Sequence, residues 1–388
     1  MRIAITCANL VKDTDGVARV VNKTIEKLKE QKIEMIAFSP APPLKQDQII
    51  PVFKVPSIPI PFYKEYRFAM PSFAKIKKQL DEFKPDIIHI HSQDLLGVMA
   101  IMYARQNGIP VVTTYHTDYI FVIRFYKRYF LEKLAWQVIK FNYKNCHLIF
   151  CPSKFVVNTL KTRKITNTAL LNHGVDTNVF NPQKASKKLR EKLQADGKKL
   201  VLYAGRIVWE KGLKTLADAY KILEDRKDIL FVIAGKGSAK KELQKLMPKA
   251  RFIGHLDAKT LSEIYASSDI FVFPSLTETF GLAILEAMAS GLPVIGADVG
   301  CNRELIENNF NGILFSPRSP HKLAKAIVNL ATNDELRQNL SQKAAESGKQ
   351  KPWDEIIKQL LVYYDLLVYH KDQLPIRKPV DSQDLDPW

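Results

Sequence analysis

The residues best suited to chemistry are two carboxylates and two cations in the second half of the chain. Pro274 closes an apolar run, a short polar loop carries Glu278, and Gly281 opens an amphipathic stretch that carries Glu286. A glycine at such a junction lets backbone amides approach an anion, and a helix N-terminus favours negative charge. Glu278 falls before the expected helix and Glu286 well inside it. Two carboxylates placed either side of a phosphate site could each bind hydroxyls, one set on a sugar and one on a ribose. Upstream, Gly205-Arg206-Ile207-Val208-Trp209-Glu210-Lys211-Gly212 follows another apolar run and precedes a helical pattern. Arginine makes bidentate bonds to phosphate oxygens, and lysine acts as a point charge. Arg206 and Lys211 together would neutralise a departing diphosphate. Taken singly, each pattern also fits a capped surface helix or a solvated basic loop.

The first half offers fewer such groups. Asp13-Thr14-Asp15-Gly16 follows the first apolar run, and Gly16 at a strand-to-helix turn permits close backbone approach to a ligand. A dinucleotide fingerprint is absent, and the two aspartates lack the further ligands that a metal site needs. His116 ends a strand pattern, where it could meet a sugar hydroxyl or an acceptor, with Asp118 orienting one or the other. A satisfied turn histidine is the plainer alternative. His89 and His91, two apart in a strand, share one face and read as core or cleft-lining rather than metal-binding. Gly235-Lys236-Gly237 follows a strand and could approach a nucleotide.

These groups need a frame, and the hydrophobic pattern supplies one. Short apolar runs at 3–8, 33–38, 86–90, 109–115 and 147–151 alternate with helical periodicities such as 17–29, the signature of a parallel sheet covered on both faces. The rhythm restarts at 199–204 and repeats at 229–234, 269–273 and 292–297. At 388 residues, 46% of them hydrophobic, the chain has room for two such domains. We place them at 1–168 and 169–351. The lysine-rich stretch from 181 to 198 is the expected linker, and a C-terminal helix within 352–388 is expected to pack back on the first domain. Ligands of open α/β sheets bind at the carboxyl ends of the strands, so a cleft between the domains is the expected site.

The elements together resemble family 4 retaining glycosyltransferases of the α/β GT-B fold, two Rossmann-like domains with a cleft between them. Glu278 to Glu286 matches the family's E-x7-E element, Arg206 and Lys211 its donor-phosphate pair, Gly16 its N-terminal glycine loop and His116 its active-site histidine. The resemblance implies a nucleotide-sugar donor, a UDP- or GDP-hexose, with no cofactor and no metal. It implies that Arg206 and Lys211 hold the diphosphate, that Glu278 binds the transferred sugar and that Glu286 binds the ribose. The backbone of Phe280, Gly281 and Leu282 would approach sugar and phosphate, with Gly16 and Gly235 also lining the donor. Asp15 stands where similar enzymes often carry a second glycine.

The acceptor is read from charge. The formal net charge is +18, from 58 Lys+Arg against 40 Asp+Glu, which calls for an anionic partner. Residues 120–144 interleave Phe121, Phe125, Tyr126, Tyr129, Phe130 and Trp136 with Arg124, Lys127, Arg128 and Lys133, which suits an amphipathic helix on an anionic membrane. Residues 62–78 have the same character. The chain here resembles diacylglycerol-type lipid glycosyltransferases and related mannosyltransferases, so a membrane lipid such as diacylglycerol or a glycolipid is the expected acceptor. A soluble or polyprenyl-linked glycan is the alternative acceptor, and a non-enzymatic nucleic-acid-binding protein the alternative class. No nucleic-acid motif appears, so nucleic acid is not an expected partner. Cys7, Cys146, Cys151 and Cys301 suggest neither zinc nor disulfides, and no apolar run reaches membrane-span length. A cytoplasmic protein, peripheral on the inner face of a membrane, is the expectation.

Overall fold

A computed structural model of the chain describes residues 1–59 and 67–370. It divides into two compact units: the first comprises 1–172 with the segment from 354 onward, and the second spans 173–353. The strand Thr168–Leu170 completes the first sheet and carries that unit past the expected edge at 168. The expected linker at 181–198 is instead part of the second unit. It forms the short helix Lys187–Lys192 and buries Leu193 and Ala195 in the core. Lysine content marked that segment as exposed, but buried Leu193 and Ala195 anchor its end, and Arg190 pairs with Asp269 at 3.0 Å.

Among the described residues, the first unit holds a seven-stranded parallel sheet. From edge to edge its strands are Val52–Lys54, Glu34–Ser39, Arg2–Thr6, Ile87–Ile90, Val111–Thr114, Leu148–Cys151 and Thr168–Leu170. The second unit holds six parallel strands: Arg251–Gly254, Ile229–Ala234, Lys199–Ala204, Ile270–Phe273, Val294–Ala297 and Gly312–Phe315. In both sheets the strand order reverses beside the first strand in sequence. Such a reversal opens a crevice at the strands' carboxyl ends. In the first unit it lies between Thr6 and Ile90, and in the second between Ala204 and Phe273.

Each sheet is buried on both faces, as continuous Ile/Val/Leu runs require. On one face of the first sheet, Ile3, Ile5 and Phe150 pack with Val21 and Ile25 of the helix Gly16–Glu30. The helix Trp353–Tyr369 joins this cluster through Ile357, Leu360, Tyr364 and Leu367. Those four recur at helical spacing, so one stripe of the helix faces the sheet. Most of the last segment thus belongs to the first unit, and the expected packing of 371–388 lies outside the described residues.

The aromatic-basic stretch does not form one helix. It breaks into Tyr119–Phe125, a 3-10 turn at Tyr129–Leu131 and Glu132–Asn145, with Lys127 at φ 55° in the break. The periodicity was right within each piece, but a left-handed residue cannot continue a helix. Among the described residues no helix is long and apolar enough to cross a membrane.

Candidate functional site

The second unit brings its two chemical loops together at the crevice. The strand Lys199–Ala204 leads into 205–212, and the strand Ile270–Phe273 leads into 274–281. Gly212 sits at φ 73°, where a side chain is strained, and a β-carbon there would lie 2.0 Å from the carbonyl oxygen of Pro274. This close approach presses one loop on the other. As a result, Lys211 Nζ donates to Glu278 Oε1 at 2.5 Å. Both side chains are 16% exposed, so the pair is reachable yet partly desolvated.

Arg206 is set differently. Its guanidinium lies 3.7 Å from Glu210, whose carboxylate is buried below it. The Tyr203 hydroxyl donates to the carbonyl of Arg206 at 2.8 Å and pins the loop to the sheet. Burial raises the Tyr203 phenol, and the negative charge of Glu278 adds to it, so the hydroxyl stays a donor. Glu210 and Tyr203 were not singled out from the sequence. Glu210 is four residues from Arg206, and that spacing was the available signal.

Gly281, at φ 92°, caps the helix Leu282–Ala289 without a side chain to bond its first amides. Amides and a helix dipole of this kind favour negative charge, here just after Glu278. Phe280 is buried, and its ring meets that of His173 at 5.2 Å. Burial lowers the His173 imidazole to about 4, so it is neutral at physiological pH. Glu286 is 2% exposed and accepts a 3.5 Å hydrogen bond from Tyr265. Gly235 follows the strand Ile229–Ala234, on the other side of Lys199–Ala204 from the crevice, and the chain itself demands a glycine there. Its β-carbon would lie 1.9 Å from the carbonyl oxygen of Gly205.

The other expected residues belong to the first unit. Gly16 is the first residue of its helix, and a β-carbon there would meet nothing within 4 Å. Asp15 caps that helix by accepting from Ala18 at 2.8 Å, while Asp13 pairs with Arg19 at 3.8 Å. His116 follows the strand Val111–Thr114 and is 9% exposed. Its Nε2 lies 2.8 Å from Nδ1 of His91. Asp118 caps the helix Tyr119–Phe125 through Phe121 at 3.0 Å, which occupies one of its oxygens. His89 is buried between the hydroxyls of Tyr364, 2.5 Å from Nδ1, and Thr114, 2.8 Å from Nε2. Burial, with His116 nearby, lowers it to about 3.

Of the expected membrane cations, Arg124 forms a bidentate pair with Glu132 at 3.0 and 2.6 Å. Lys127, Arg128 and Lys133 are exposed beside Tyr129, Phe130 and Leu134, which are 60%, 76% and 60% exposed.

Comparison with known proteins bears on this arrangement. Residues 185–347 match the family of glycosyl transferases group 1, and residues 14–179 match Glycosyltransferase Family 4. A GDP-mannose-dependent alpha-mannosyltransferase of Corynebacterium glutamicum is 33% identical over 385 residues, 97% of this chain and 91% of its own length. An alpha-monoglucosyldiacylglycerol synthase of Streptococcus pneumoniae is 29% identical over 312 residues, 76% of this chain and 70% of its own. A sucrose-phosphate synthase from Thermosynechococcus elongatus shares the fold at a TM-score of 0.79 and 21% identity, covering 95% of this chain and 99% of that one. The chain is therefore a glycosyltransferase of the GT-B fold and belongs to family 4, group 1.

Proposed function

We propose that this enzyme is a metal-independent retaining hexosyltransferase that moves a sugar from a UDP- or GDP-hexose to a hydroxyl of a membrane lipid, such as diacylglycerol or a glycolipid. The observation that carries the proposal is Lys211 bonded to Glu278 immediately before a helix whose N-cap has no side chain. In this reading Arg206, Lys211 and the amides at 281–282 hold the diphosphate. Glu278 holds hydroxyls of the hexose, and Glu286, steadied by Tyr265, holds the ribose. The bond from C1 of the hexose to the diphosphate breaks with its electron pair leaving on the phosphate. The acceptor oxygen bonds to C1 from that same face, and its proton passes to the departing phosphate. Fixed charges aimed at the developing diphosphate supply the largest share of the acceleration. His116 serves the acceptor side.

Three observations support the lipid. Lys127, Arg128 and Lys133 stand exposed among solvent-facing aromatic and leucine side chains, a pattern suited to an anionic bilayer. Phe68 and Met70 are also exposed near Lys75, Lys77 and Lys78, while 60–66 lie outside the described residues. Finally, the pneumococcal relative's name is that of a diacylglycerol glycolipid synthase. A peripheral place on the inner face of a cytoplasmic membrane follows.

The test has two arms. A thermal-shift screen against UDP-, GDP- and ADP-sugars without metal should show stabilisation by one donor. No shift with any donor would overturn the donor assignment. Sedimentation with phosphatidylglycerol vesicles should carry the protein down, and less so after Lys127, Arg128 and Lys133 are changed to glutamine. Equal sedimentation of both proteins would favour a soluble or polyprenyl-linked acceptor.

A further inference from the structure

His116 does not stand by itself. Nδ1 of His91 lies 2.8 Å from its Nε2, and the two ring centroids are 5.1 Å apart. His91 follows the strand Ile87–Ile90 and His116 follows Val111–Thr114, and these strands are neighbours with Ile90 opposite Thr113. By that register His91 falls opposite Thr114, two residues before His116, so both histidines stand just past the carboxyl ends of adjacent strands. His91 is 4% exposed, and its backbone amide donates to the carbonyl of Thr6 at 2.8 Å. The ring of His89 lies 3.9 Å from that of His91, between its own bonds to Tyr364 and Thr114. His91 is thus wedged by packing and backbone, whereas His116 sits at the start of a loop.

A bond between two imidazoles needs an N–H on one ring and a lone pair on the other. It therefore couples their tautomers and restrains the plane of each ring. From this geometry we propose that His91 is a positioning residue that holds His116 in one tautomer and one orientation for the acceptor hydroxyl. The inference rests on the acceptor-side role given to His116 above.

The test is a set of substitutions assayed at saturating acceptor. His91→Phe keeps a planar ring but removes the bond. It should lower kcat on the order of tenfold, within the loss that misplacing a reacting group can cause, and leave donor KM unchanged. His91→Asn returns an amide near the place of Nδ1 and should restore most of the rate. The double variant His91→Phe, His116→Ala should be no slower than His116→Ala, because a residue that acts through another adds nothing once the other is gone. Full activity in His91→Phe, or a double variant slower by the same factor as the single, would overturn the proposal. Wild-type turnover in His116→Ala would instead remove the role of His116 itself, and this inference with it. Should His91→Phe fail to fold, His91→Asn and His91→Gln decide. Glutamine places its amide too far along the side chain, so equal rates in the two would overturn the proposal.

Discussion

Changing Lys211 to alanine should have two effects of different size, and the structure sets both. Without ligand, the lysine is bonded to Glu278 at 2.5 Å, with each side chain 16% exposed. A hydrogen bond between charged groups contributes about 1.5–3 kcal/mol. Because solvent reaches the pair, we discount this to about 1 kcal/mol. In a unit of this size that lowers the melting temperature by roughly 2–4 °C. With nucleoside diphosphate at 100 times its wild-type dissociation constant, the wild type gains about 2.7 kcal/mol, or roughly 5–11 °C. Loss of about 2 kcal/mol of phosphate contact would weaken binding about thirtyfold and cut that gain to about 0.9 kcal/mol. Turnover should fall by about 10²–10³, the usual effect of deleting one preorganised charge. Glu278→Gln separates the roles: it keeps the shape but releases Lys211 from a carboxylate. Diphosphate stabilisation should persist or grow while turnover collapses. Calorimetry with and without diphosphate, beside a product assay, reads all of this. A Lys211→Ala protein with the full ligand shift and wild-type turnover would refute the reasoning. So would a Glu278→Gln protein that loses the diphosphate shift, because the pair would then be structural only.

Further outcomes follow from other contacts. Glu210→Gln should raise donor KM several-fold with a smaller change in kcat, since the buried carboxylate sets Arg206 rather than touching phosphate; an unchanged KM would count against that role. Tyr364→Phe deprives buried His89 of its Nδ1 partner and should cost about 1–3 kcal/mol of first-unit stability, seen as an earlier denaturant midpoint. For acid, the sign is set by His173, lowered by burial to about 4 from 6.5. The unfolded chain binds its proton first. The second unit should therefore hold this stability above pH 6.5 and lose about 1.4 kcal/mol per pH unit between 6.5 and 4. His89 acts alike in the first unit, but Asp94, raised by burial to about 6, takes up a proton in the folded state and opposes it. A second unit with flat stability from pH 7 to pH 4.5 would contradict the burial of His173.

What could be read from the sequence tracks how local each feature is. Glu278, Gly281 and Glu286 lie on one strand-loop-helix unit, so their spacing alone placed two carboxylates about a helix start. The doubly wound sheets were equally open to reading, because strands buried on both faces must be apolar throughout. The contacts that shape the chemistry join distant stretches instead. Lys211 and Glu278 are 67 residues apart, His91 and His116 are 25, and His89 and Tyr364 are 275. No periodicity encodes such pairs, since strand order and the glycine-tight contact of Gly212 on Pro274 bring them together. The break at Lys127 was hidden for a related reason. Aromatic and basic residues keep helical spacing through it, while one left-handed backbone angle decides that the surface is built from separate pieces. That break turns Tyr129 and Phe130 outward beside Lys127 and Arg128, where a single straight helix would have spread the same residues around its circumference. The proposed membrane contact thus depends on one residue's φ as much as on its charge. Lys127→Pro, which forbids positive φ, should weaken vesicle binding more than Lys127→Gln, which removes only the charge. Equal losses in the two would assign the whole effect to electrostatics.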